Sequence, residues 1–266
     1  NLANNIQSFP LGIFGVSFAM AAFPALASMA TKKDKDGLIE VFSDTLRQIM
    51  FFVIPATVLL IVLRAQLVRT ILGSGLFNWE DTIMTADALA LFSLSLFAQA
   101  ALPLLIRVFF AQQDSKTPFI IGLISAGINI ILSWSLSSHW GVAGLALAFS
   151  ISSFINLVLL WVVLRLQLGS LGEARIFLSV GKILAAALMM GASAQAVKYI
   201  VEPYVNMDTF LGILTQGLLA GLAGLVAYGL VGLLLRSQEM LVFKQVWQRR
   251  LLKITKATGI DESAGR

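Results

Sequence analysis

The chain of 266 residues contains no cysteine, a single histidine, and charged residues at only 12% of its positions. Without a thiol there is no disulfide and no thiolate metal site, and His139 alone cannot supply the three or four ligands that zinc requires. Carboxylates are also missing from the places where chemistry would need them. Asp87 falls at the edge of an apolar run, while Asp114, Glu173, Glu202 and Asp208 fall in the polar breaks between runs. Paired carboxylates for acid–base work, a Ser/His/Asp set and a phosphate-cradling glycine loop are all absent, which argues against an enzyme. No cofactor, no metal and no nucleic-acid partner is expected.

What is present is apolar surface, at 58% of the residues against about 45–50% in soluble proteins. It is gathered into runs long enough to cross about 30 Å of hydrocarbon as helices. Seven such runs stand out, at residues 6–30, 47–68, 85–111, 118–137, 141–165, 176–198 and 208–235. The expected fold is an all-α polytopic membrane protein, because runs this apolar lack the alternation of a membrane barrel. Arg64 near the end of the second run and Lys182 near the start of the sixth are expected to snorkel toward the interface.

Lysine and arginine are distributed unequally between the two ends of these runs. Sixteen of the 19 basic residues fall in the 31–48, 107–117 and 165–182 connections and in the tail after 235. Only Arg64, Arg69 and Lys198 fall at the opposite ends. This bias places Asn1 outside and Arg266 in the cytoplasm. Beyond Leu235, Met240, Phe243, Trp247, Leu251 and Ile254 recur at spacings of three and four with basic residues between them. That pattern reads as an amphipathic helix lying on anionic membrane lipids.

Pro10, Pro24, Pro55 and Pro103 lie inside apolar runs, where each removes a backbone hydrogen bond and favours a kink. Pro10, followed by Gly12 and Gly15, is the strongest hinge candidate, and Pro103 the second. Gly217 and Gly221, overlapped by Ala220 and Gly224, give the seventh run a face of small residues suited to close helix contact. The residues available to touch a ligand are uncharged: Asn4, Asn5, Gln7 and Ser8 at the start, Gln99 midway along the third run, and Asn129, Ser133 and Asn156 in the fourth and fifth.

The stretch Arg107-Val-Phe-Phe-Ala-Gln-Gln-Asp-Ser-Lys-Thr-Pro118 joins two runs through a tight polar turn. Thr117 is suited to cap the next helix with Pro118 at its first position, and Asp114 to close the turn on backbone two residues on. Arg107 and Lys116 add positive charge to the same surface.

This stretch also resembles the Arg-x-Phe-Tyr-Ala-x-x-Asp-Thr-x-Thr-Pro signature of the MurJ/MviN family, the proposed lipid II flippases of bacterial cell-wall synthesis. Four further segments are similar in order and spacing: Phe9-Pro-Leu-Gly-Ile-Phe-Gly-Val16, Phe52-Val-Ile-Pro55, Gly75-Leu-Phe-Asn-Trp-Glu-Asp-Thr-Ile-Met-Thr-Ala-Asp-Ala-Leu89 and Gly141-Val-Ala-Gly-Leu-Ala-Leu-Ala-Phe-Ser150. The resemblance implies a transport lobe of the MOP exporter superfamily over residues 1–165, lacking its first helix. It implies two additional helices over 166–235, lining a groove for a lipid tail, and a cytoplasmic tail over 236–266. It places the chain in the inner membrane as the later part of a longer protein, partnered by a missing N-terminal half and by a lipid-linked cell-wall precursor moved by alternating access. Another exporter of the superfamily, for undecaprenyl-linked oligosaccharide or drugs, and an inactive membrane scaffold are the alternatives.

Of the polar residues above, Asn4, Asn5, Ser8 and Gln99 are the expected substrate contacts, and at the first of these segments the chain departs from the family pattern. Relatives carry Asp-Arg-x-x-x-Phe-Pro where this chain has Asn4-Asn5-Ile6-Gln7-Ser8-Phe9-Pro10, so Asn5 replaces an arginine implied to hold pyrophosphate. A sodium site of some relatives pairs an asparagine with an acidic residue one turn on. Asn129 matches the first, but Ser133 occupies the second, and no metal site is carried over.

Overall fold

The computed structural model describes residues 2–72, 79–206 and 209–240, and their regular structure is entirely helical. Among the described residues nine α-helices follow one another: α1 Leu2–Pro10, α2 Ser17–Thr31, α3 Lys35–Val62, α4 Arg64–Leu72, α5 Trp79–Leu94, α6 Leu96–Ala111, α7 Lys116–Leu168, α8 Glu173–Val201 and α9 Phe210–Leu234. A π-helical turn over Leu11–Val16 joins α1 to α2. The expected amphipathic tail beyond Met240 lies outside the described residues.

Five stretches are individually long and apolar enough to span a membrane, and α5 with α6 forms a sixth span bent by 43°. The seventh is hidden inside α7. Its 53 residues would extend about 80 Å if straight, far more than a bilayer's hydrocarbon thickness. Gly141 breaks it with φ 54° and ψ −129°, a conformation open to a residue without Cβ. The Asn129 amide donates to Ser152 Oγ at 3.0 Å across this point, so the two halves run antiparallel as a helical hairpin. Seven spans result, as the apolar runs implied.

The second span begins earlier than its apolar run. Asp34 caps α3 by accepting from the Gly37 amide at 3.0 Å, and the helix extends through the polar residues before Arg47. It therefore ends at Val62, and Arg64 opens the next helix. Snorkelling within the second span is not needed: Arg64 donates to the Ile61 carbonyl at 3.2 Å and lies 3.9 Å from Asp87.

Helix α3 forms the centre of the bundle, packed against α2, α6 and α8. Phe42, Ile49, Leu104, Phe109, Leu164 and Ile183 are fully buried there. Helix α9 is tied to α3 where Pro55 leaves the Phe51 carbonyl without its usual helical donor: the Tyr228 hydroxyl donates to that carbonyl at 2.8 Å. The small-residue face of α9 is used for contact. A Cβ on Gly224 would meet Met190 and Ala194 of α8 at 3.1–3.3 Å, and Ala220 is fully buried.

The basic residues segregate as their sequence positions implied. Lys198 donates to the Val62 carbonyl at 2.9 Å, placing it beside Arg64 at one end of the bundle. At the other end Arg47 reaches Gln238 and Glu239, and Arg165 lies 3.3 Å from Glu173.

Candidate functional site

Two features of the first and third spans shape a cleft between them and the α7 hairpin. After Pro10 the chain takes the wider π-helical turn, and Ser17 Oγ donates back five residues to the Gly12 carbonyl at 3.1 Å. Gly15 in this turn lies against α6 so closely that a Cβ would sit 3.0 Å from Ala100 Cα. The Pro10–Gly15 hinge candidate thus coincides with an irregular, tightly packed backbone segment.

The second feature is a bend that proline does not cause. Helix α6 continues through Pro103, and the 43° change of direction falls eight residues earlier, at Ser95. There the Ser95 amide turns to the Phe92 carbonyl at 3.2 Å instead of Leu91, its α-helical partner. Ser150 of the hairpin donates to the Leu91 carbonyl at 2.7 Å, and its Oγ lies 3.0 Å from Ser95 Oγ. Gln99 Nε2 donates to Ser95 Oγ at 2.8 Å from the following turn. The bend is therefore held by one polar network joining α5, α6 and α7.

Beside it opens a cleft of about 520 Å³, lined by Gln99, Pro103, Ser125, Asn129, Ser152 and Asn156 among apolar neighbours. Ser125 Oγ and Asn156 Oδ1 are buried without a hydrogen-bond partner. Among the described residues the lining carries no charge. Such a surface can hydrogen-bond neutral polar groups but offers no cation to an anion.

The structure unites part of the sequence-derived set. Gln99, Asn129 and Asn156 meet with Pro103 in this cleft, although Gln99 already spends its amide group on Ser95. Asn5 and Ser8 are exposed on α1 and do not line it. The Asn4 side chain lies outside the described residues. The bend at Ser95 differs from the sequence expectation, which placed the kink of this span at Pro103. Serines spaced by two in a spanning run, Ser93-Leu-Ser95, were the available signal, since hydroxyls bond backbone carbonyls and bend helices.

The signature turn is built differently from expectation at one point. Thr117 is not the helix cap, because α7 already begins at Lys116 and Pro118 occupies its third position. Asp114 supplies the cap instead, accepting from the Lys116 amide at 3.1 Å and the Thr117 amide at 3.0 Å. Pro118 still costs no helical bond, since the first four amides of a helix lack one. The Thr117 hydroxyl, followed by the Thr117 backbone amide, holds the Asp114 carboxyl below the usual carboxylate range. Before this cap, α6 closes with Gln113 at φ 62°, its amide bonding the Phe110 carbonyl and the Asp114 amide the Phe109 carbonyl, a Schellman turn without glycine. Arg107 folds back to within 3.4 Å of the Pro103 carbonyl and is the charged side chain in an otherwise apolar recess with Met20, Phe23 and Phe110.

A family model described as "Lipid II flippase MurJ" matches residues 1–215. The chain belongs to the MurJ family. Among curated relatives it is similar to the probable lipid II flippase MurJ of Rickettsia prowazekii, 30% identical over 209 residues, covering 79% of this chain and 41% of the relative. It is likewise similar to the probable lipid II flippase MurJ of Vibrio cholerae, 31% identical over 165 residues, covering 62% of this chain and 31% of the relative. That of Haemophilus influenzae is 28% identical over 246 residues, covering 88% and 46%. The fold is similar to a solved "Lipid II flippase MurJ, inward closed conformation", with a TM-score of 0.66 at 24% identity over 94% of this chain and 46% of that one. The chain thus spans between about a third and a half of the length of these MurJ proteins. The MurJ match covers the signature turn, the bend at Ser95 and the cleft alike.

Proposed function

We propose that this chain is the carboxy-terminal transport portion of a flippase that reorients a lipid-linked cell-wall precursor, lipid II, across the bacterial inner membrane by alternating access. Residues 1–165 form its moving lobe, 166–235 two added helices, and 236–266 a basic tail on the cytoplasmic face. The observation that carries this reading is the family match over residues 1–215. The packing supports it: a polar network at Ser95 and an irregular turn after Pro10 border the same cleft, so both can change the cleft's shape without unfolding a helix. The work is movement of cargo, with no covalent step.

Asn5, Ser8 and Gln99 are assigned to the cargo path, the Pro10 turn and the bend at Ser95 to its hinges in place of Pro103, and the turn from Arg107 to Pro118 to the cytoplasmic end. A pyrophosphate in a low-dielectric cavity needs cations or several donors, and the described cleft is uncharged. The anion-holding groups therefore belong to the preceding half of the transporter. The second reading is another exporter of the superfamily, for undecaprenyl-linked oligosaccharide or drugs, and the uncharged cleft suits a drug. Growth of a wall-forming bacterium depleted of its own flippase tests the first. A chimera joining this chain to the upstream half of a relative restores growth, and this chain alone does not. Rescue by the chain alone contradicts the reading.

A further inference from the structure

At the end of the bundle opposite Lys198, a second cavity of about 420 Å³ opens between α3, the start of α8 and the turn after α9. Its lining includes Arg47, Arg175, Lys182 and Arg236 against a single carboxylate, Glu239. The seven-residue spacing of Arg175 and Lys182 puts both on one face of α8, with buried Ser179 between them. The charges are unequally matched. Glu239 accepts from Ser179 at 2.8 Å and lies 3.4 Å from Arg47, which also pairs with Asp44. Arg175, Lys182 and Arg236 have no anionic partner among the described residues. Arg47 Nε, a further donor, is buried with nothing to bond.

The turn that presents Arg236 is fixed in place. Arg236 has φ 47°, with its own amide bonded to the Leu233 carbonyl and that of Ser237 to the Gly232 carbonyl at 3.1 and 3.2 Å. Glu239 in turn is held by α3 and α8, so the cavity's three sides are joined through one carboxylate. Next to the cations, Leu178 on α8 and Leu234 on α9 are 69% and 81% exposed. Cations at helix ends beside exposed apolar side chains match the layering of a phospholipid, with its phosphate at the interface and its chains below.

We propose that this cavity binds the phosphate of an anionic phospholipid, with Arg175, Lys182 and Arg236 as its cationic contacts and Leu178 and Leu234 against the acyl chains. With the orientation proposed above, the lipid comes from the inner leaflet. Binding itself rests on the cavity and not on transport, so it can hold where the flippase reading fails. An anionic lipid here would staple the α8–α9 pair and the turn after α9 to α3.

The test is lipid retention by the full chain purified in detergent, read by native mass spectrometry during titration with phosphatidylglycerol or phosphatidylcholine. Phosphatidylglycerol binds in preference, and millimolar inorganic phosphate does not displace it. Arg175→Gln and Arg236→Gln each weaken phosphatidylglycerol binding about fivefold, the factor for one cation near an anionic lipid. Arg175→Lys and Arg236→Lys retain it, which separates loss of charge from loss of fold. Arg165→Gln, outside the cavity, leaves it unchanged. Equal binding of the two lipids, or Gln variants that bind as the parent does, overturns the proposal. Displacement by inorganic phosphate overturns the lipid assignment in favour of a free-anion site.

Discussion

Replacing Ser150 with alanine removes one hydroxyl that serves two helices. Its loss leaves the Leu91 carbonyl without a donor, because the Ser95 amide has already turned to Phe92. Interhelical hydrogen bonds in membranes average about 0.6 kcal/mol, since the unfolded chain in the bilayer also finds partners. A buried acceptor left bare costs about 1–3 kcal/mol. The expected loss for Ser150→Ala lies where these overlap, at about 1–2 kcal/mol. Ser153 is the control. It is similarly buried one residue beyond Ser152, but its hydroxyl bonds only the Phe149 carbonyl of its own preceding turn. Unfolding of the purified chain by SDS titration, followed by far-ultraviolet circular dichroism, reports both losses. Ser150→Ala shifts the midpoint clearly more than Ser153→Ala. Equal shifts would show that the bend at Ser95 does not depend on the hairpin, and the network argument would fail.

Gly141→Ala destabilises by about 1–3 kcal/mol in the same titration, the cost of an unfavourable backbone region, because the surrounding space is open and only the φ of 54° resists a side chain. A negligible change there would mean that the hairpin turn readily adopts another conformation. Asp114 has its carboxyl lowered by the Thr117 hydroxyl and by backbone amides. The sign follows: its stabilisation is complete above the unfolded carboxylate pKa of about 3.9 and is lost as the pH falls through the lower folded value. Asp114→Asn therefore flattens this acid limb in a thermal-stability series between pH 6 and 2; an unchanged limb contradicts the cap. Cysteines introduced singly at Ser138 and Ser115, exposed at opposite ends of the first half of α7, report topology against a background free of native thiols. In intact cells a membrane-impermeant maleimide labels Ser138→Cys and spares Ser115→Cys; the reverse pattern inverts the orientation.

The spans were legible because hydrocarbon thickness sets a length that apolar runs either meet or miss, and Gly141 marked the one reversal that helix assignment conceals. The beginning of α3 was not legible from apolarity. Asp34 starts that helix through a cap, well before its residues become apolar, and this moved Arg64 out of the span. Prolines drew attention to Pro10, where the backbone does change to a π-helical turn. They misdirected it at Pro103, where the bend belongs instead to Ser95. Proline's effect is written in one residue, whereas the Ser95 bend depends on Ser150, 55 positions away. The same reasoning explains the cleft. Gln99, Asn129 and Asn156 could each be named as polar residues in apolar runs, but only the hairpin's register brings them together. In the signature turn Thr117 was the expected cap, but α7 begins one residue before it, and the Asp114 side chain takes the role while still closing the turn.

Exposure of lipid II on the outer leaflet is the most direct measure of the proposed function. It can be followed in cells depleted of their own flippase by adding a membrane-impermeant enzyme that cleaves lipid II and quantifying the released headgroup. With the chimera of this chain and a relative's upstream half, cleavage rises to the level of undepleted cells, and Asn5→Arg preserves it because the family resemblance implies an arginine at the matching position. A chimera that inserts stably in the membrane yet leaves lipid II uncleaved would contradict the account and move the cargo from lipid II to that of another exporter.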